Sequence, residues 1–141
     1  MFAGEVNLKT WYKPKIDKKI LKELSMRSDI KGLLDISVFI VALILSGYLC
    51  IISWGTLWSI PALLLYGNIF YCKIISIQHE TNHETYFKTR ALNKFFYHIT
   101  SLLGGFEAVR WKWSHFHHHT YTIFTHDEVY DYENNSPKPT E

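Results

Sequence analysis

The sequence predicts an all-α membrane protein: a transmembrane helical hairpin joined to amphipathic and interfacial helices that carry clustered histidines. Three observations predict it. Two long apolar runs lie back to back between residues 36 and 77. Basic residues flank that region on both sides, and the linker between the runs has none. Six of the eight histidines fall in two short clusters after the second run.

The chain has 141 residues, which allows one modest domain. Its net charge of +2 makes no case for a nucleic-acid partner. Two cysteines, Cys50 and Cys72, both fall inside the oily region and form no CxxC motif. They read as buried thiols that pack as small hydrophobes.

Residues 1–33 form the first segment, expected on the cytoplasmic side. The stretch "KIDKKILKELSMRSD" places Ile16, Ile20, Leu21 and Leu24 on one helical stripe, with lysines over the other face. Such a helix lies on a membrane surface or packs on a later part of the chain. Residues 34–78 are the hairpin. "ISVFIVALILSGYLCIISW" at 36–54 and "LWSIPALLLYGNIFYCKIISI" at 57–77 are each about the length that crosses a hydrocarbon core. After Asp35 the only charge before Gln78 is Lys73, near the end of the second run, from where it can snorkel to the interface. Pro61 stands in the first turns of its helix, where a missing N–H costs little. The apolar region starts too late and runs too long for a signal peptide. The positive-inside rule puts both flanks in the cytoplasm and Gly55 and Thr56 at a short outer turn.

Residues 79–128 form a cytoplasmic segment with the histidine clusters. "NKFFYHITSLLGGF" is apolar but too short to cross, so it is expected as an interfacial helix ending near Gly104 and Gly105. Trp111 and Trp113 alternate with Arg110 and Lys112, a pattern suited to the water–lipid boundary. Residues 129–141 are a polar tail, read as a truncation point.

The clusters carry the chemistry. His79 and His83 stand four apart and share a helix face. In "SHFHHHTYT", at about 100° per residue, His115, His118 and His119 fall within an arc of about 100°. His117 projects from roughly the opposite side. Neutral imidazoles bind zinc, copper, iron and nickel. Five of them exceed the needs of one four-coordinate zinc with an open position, and suit a two-metal centre or part of one. His98 reads as an interfacial polar residue, and His126 stands beside Asp127 and Glu128. The stretch 79–83, "HETNH", also matches H-E-x-x-H, in which two histidines hold zinc and the glutamate activates water. A membrane zinc metalloprotease built on it needs a third ligand, for which Glu107 or an acid beyond this chain would serve, and it leaves the second cluster unexplained.

These residues resemble the membrane-bound fatty acid desaturases and related hydroxylases. "HETNH" is similar to that family's HxxxH box, and "HFHHH" to its HxxHH box. "KELSMRSDIKGLL", "HETNHETYFKTRALN" and "WSHFHHHTYT" look like the bacterial-type members, so the likeness spans most of residues 22–128. The resemblance implies a helical membrane protein with a cytoplasmic histidine-rich di-iron centre. With O2 and electrons, such a centre desaturates or hydroxylates an acyl or alkyl chain. His79, His83, His115, His118 and His119 would be the metal ligands, and His117, at a variable position of its box, is not transferred. The implied partners are the membrane, a lipid or acyl-chain substrate, and an electron donor such as ferredoxin or cytochrome b5. The implied location is the bacterial inner membrane or the endoplasmic reticulum. The family has a third histidine box, and no HxxHH follows His119. The chain is therefore expected to be the N-terminal part of a desaturase, inactive alone, or an inactive or metal-binding remnant.

Overall fold

In a computed structural model, residues 15–121 are described. The tail at 129–141, His126 and the first residues of the N-terminal segment lie outside them. Five helices follow one another: α1 (Lys18–Leu24), α2 (Asp29–Ile52), α3 (Ser59–Asn82), α4 (Arg90–Gly104) and α5 (Ala108–Tyr121). There is no strand among the described residues. The all-α architecture expected from the apolar runs is the one found.

The spans are longer than the apolar runs that announce them. Helix α2 begins at Asp29 because Ser28 is extended and its hydroxyl accepts from the Lys31 N–H, satisfying a first-turn donor. Asp29 adds a negative charge where the helix dipole favours one. Helix α3 runs through the expected border at 78/79 without a break, so His79 sits on the same helix as the second span. Both helices are long and apolar enough to cross a membrane, and most of their apolar side chains are exposed. A helix whose large apolar side chains face outward all along is built for a hydrocarbon solvent rather than for water.

The turn between them takes the place expected for it. Gly55 has φ +78, in the left-handed region, and the Ser53 and Thr56 hydroxyls donate to carbonyls of the preceding turn. Lys73 does not have to snorkel. Its ammonium reaches both carboxylate oxygens of Asp35 on α2, at 2.8 and 2.6 Å. The Tyr86 hydroxyl donates to the same carboxylate. One acid thus ties α2, α3 and the loop after α3 together. The two cysteines differ from expectation as well. Cys50 is half-buried and Cys72 exposed.

Packing concentrates at the end of the hairpin where α2 begins and α3 ends. Phe87 is fully buried there with Ile36 and Ile77, and Phe96 stacks on its ring. Gly32 permits this approach: a Cβ at that position would stand 2.6 Å from the Phe87 ring. The Asn93 carboxamide fixes the loop from the other side. Its Oδ1 accepts from the Phe87 N–H at 3.0 Å, and its Nδ2 donates to the Phe87 carbonyl at 2.9 Å.

Helix α4 is amphipathic with an inverted sense. Its buried stripe is polar, made of Asn93, Tyr97, Thr100 and Ser101 at i, i+4, i+7 and i+8, and α4 packs chiefly on α3. Its exposed stripe is Phe95, Ile99, Leu102 and Leu103. It ends at the glycine pair, with Gly105 left-handed at φ +74. Helix α1 buries nothing: Ile20, Leu21 and Leu24 are all exposed, as is Ile16 just before it. The alternative in which that stripe packs on a later part of the chain is not realised among the described residues.

Candidate metal centre

The end of α3 and the middle of α5 meet at four imidazoles. Helix α3 presents His79 and, at its C-cap, His83. The chain then turns sharply. Glu84 takes a left-handed φ of 56, and three contacts hold it there. The Arg27 guanidinium donates to its carbonyl at 2.5 Å, the Arg90 Nε donates to its carboxylate at 2.8 Å, and its own N–H returns to the Thr81 carbonyl.

Helix α5 is aimed by its first turn. Both Glu107 carboxylate oxygens accept backbone N–H groups, from Val109 at 3.1 Å and Arg110 at 2.5 Å. The Tyr97 hydroxyl of α4 donates to the Ala108 carbonyl. So placed, α5 turns His115 and His119 toward α3.

His79, His83, His115 and His119 each offer a ligand atom, and these atoms all lie within 4.8 Å of one another. His83 Nε2 and His115 Nε2 are 3.0 Å apart, as are His119 Nε2 and His115 Nε2. Metal–imidazole bonds of about 2.1 Å at right angles put neighbouring nitrogens about 3.0 Å apart and opposite ones about 4.2 Å apart. The observed spacing fits donors around one ion. His115 is buried, His79 half-buried, and His83 and His119 exposed, so the site opens to one side. Burial, and then the neighbouring His79, His115 and His119, push the His83 imidazole below its ordinary pKa of 6.5. A metal ligand must be neutral, and this environment favours the neutral ring.

Of the expected ligands, four converge and His118 stands beside them. Its ring is stacked 5.8 Å from that of His115 and lies 5.7 Å from that of His119. His117 and His98 are not members of the group of four. Glu80 is not one either. Its carboxylate accepts from the Thr85 hydroxyl at 2.6 Å and lies 3.5 Å from His79 Nδ1. From there it can orient the ring rather than activate water. Glu107, one candidate third ligand for a zinc protease, instead caps α5.

Sequence reading missed Trp111. Expected at a water–lipid boundary with Trp113, it instead stacks on His115, with centroids 4.5 Å apart and planes at 14°, and meets His79 edge-on. Its place four residues before His115, on the same helix face, was the signal that could have found it. Trp113 is 65% exposed.

Two helices apolar enough to span a bilayer, with a cluster of imidazoles where the second one ends, describe a helical membrane protein with a histidine cluster spaced to suit a metal. The family model "Fatty acid desaturase" matches residues 52–140, and the chain belongs to that family. The match takes in the second span and all four converging histidines. Comparison with curated proteins and with solved structures finds no match. Membership brings a membrane setting and a lipid substrate.

Proposed function

We propose that this chain carries iron for the O2-dependent oxidation of an acyl chain, as a bacterial-type desaturase does. In this reading His79, His83, His115 and His119 hold one iron, and His118 extends the set toward a second. The convergence of four imidazoles from two separate helices carries it. When bound, the irons supply the oxidising power to take two hydrogens from an unactivated chain, while O2 is reduced to water with two further electrons from a donor such as ferredoxin or cytochrome b5.

The protein's own part is placement. Trp111 holds the His115 ring by stacking, and Glu80 beside Nδ1 of His79 favours a tautomer that leaves Nε2 free to bind. The hairpin of residues 34–78 anchors the chain, and the segment 79–128 bears the site. Basic residues on both flanks support a cytoplasmic position for that segment. A site at that surface meets a lipid tail from one side and a soluble reductant from the other.

Among the described residues, four imidazoles, or five with His118, are fewer donors than two irons take when each has at least about four. The chain by itself is therefore expected to bind iron without turning over lipid. The test is the purified chain in detergent, loaded anaerobically with iron(II) and assayed for bound iron. It is then given O2, a reductase system and an acyl substrate, with products read by mass spectrometry. His83→Ala and His115→Ala should lose the iron, and His117→Ala should keep it. Full iron retention by His115→Ala would overturn the site. A product lighter by two hydrogens would overturn the inactivity, and one heavier by an oxygen would make the protein a hydroxylase.

A further inference from the structure

We infer that Asn82 is a fifth donor of this centre, giving the metal a carboxamide oxygen beside the four imidazoles. The inference rests on the metal reading above and goes beyond the histidines. Asn82 is the last residue of α3, adjacent to His83. With His83, His115 and His119 it lines a cavity of about 410 Å³, whose wall also includes Lys112 and Phe116. Its Oδ1 is buried and has no hydrogen-bond partner among the described residues. A buried carbonyl oxygen left without a donor costs free energy, and buried polar groups are nearly always satisfied. Around Asn82 the chain shows a shared cavity with three of the four imidazoles, whose ligand nitrogens are spaced for one cation. A cation in that cavity is the partner the oxygen lacks.

The donor set that results has a chemical consequence. Four imidazoles and one neutral oxygen exceed the tetrahedral shell that zinc prefers in closed sites. The mixed nitrogen–oxygen set suits an ion that accepts five or six ligands, and imidazole with hard oxygen fits iron. Asn82 thus acts as a selector against four-coordinate ions as well as a ligand.

Cobalt(II) is the probe, because its visible absorption reports coordination number without turnover. The full chain in detergent is titrated as wild type, Asn82→Leu, Asn82→Asp and His115→Ala. Asn82→Leu should weaken cobalt binding by about tenfold or more and strengthen the absorption toward that of a four-coordinate ion. Asn82→Asp, which keeps the oxygen, should bind at least as tightly as wild type. Without metal, Asn82→Leu should melt at or above the wild-type midpoint, since the oxygen it removes is unpartnered there. Wild-type affinity and spectrum in Asn82→Leu would overturn the inference, as would a lowered metal-free midpoint or binding by Asn82→Asp as weak as that of Asn82→Leu. His115→Ala separates the two levels. If it too binds cobalt like wild type, the metal site itself is wrong; if it alone fails to bind, only Asn82 is.

Discussion

Asn93→Leu should destabilise the protein and loosen the metal site together. The Asn93 side chain is fully buried and makes both backbone bonds of Phe87, with a third, to the Thr89 carbonyl, at 3.3 Å. Leucine fills a similar volume and makes none of them. It strands the Phe87 N–H and C=O in the interior, at about 1–3 kcal/mol each. Extra apolar burial returns roughly 1 kcal/mol. The net loss is about 1–5 kcal/mol, which is roughly a 5- to 4,000-fold change in the folding equilibrium. Phe87 stands four residues after His83, and releasing it frees the loop that sets the end of α3. Cobalt affinity should therefore fall with stability. The assay is denaturant unfolding in detergent micelles followed by tryptophan fluorescence, with a cobalt titration of the folded variant. A midpoint unchanged from wild type would refute the reasoning, because it would show that the loop has another anchor.

Gly32→Val should displace the Phe87 ring, since even a Cβ there would stand 2.6 Å from it. A loss of about 1–3 kcal/mol is expected from overpacking, and more thermal stability than wild type would count against the packing described. The metal-free protein should weaken in acid. His83 has its pKa lowered by burial and by its histidine neighbours, so the stability it contributes is complete above its ordinary 6.5 and is lost as pH falls below that value. The melting midpoint between pH 8 and pH 5 should fall less steeply in His83→Asn than in wild type, and equal slopes would remove His83 as a cause. A single cysteine placed at Gly55, in a chain with Cys50 and Cys72 replaced by serine, should react with an impermeant reagent from outside the cell, and one at Ser28 should not. The reverse pattern would invert the topology.

The sequence by itself determined what depends on neighbours along the chain. Two runs of apolar residues state that their helices can live in hydrocarbon, whatever they pack on. The spacing of His79 and His83, and of His115 and His119, puts each pair on one side of its own helix, because four residues nearly complete a turn. Gly55 marks the turn of the hairpin, and Gly105 the end of α4, where they stand. The boxes were legible enough to carry the family.

Tertiary structure decided how those local statements combine. Periodicity left His118 and His119 equal candidates, and the rotation of α5 against α3, set by Glu107, Tyr97 and Trp111, brought His119 into the group of four and left His118 beside it. The sequence also read the α4 segment as apolar and too short to cross, without saying which side of it is covered. In water the apolar face would turn inward, but here the polar face meets α3 and the apolar one is left outside. The Asp35–Lys73 pair spans 38 residues, and the Tyr86 bond to the same acid spans 51. Nothing in local spacing predicts such partners. They exist because an unpaired charge on a membrane-spanning helix is costly, and only the folded chain determines which opposite charge is within reach.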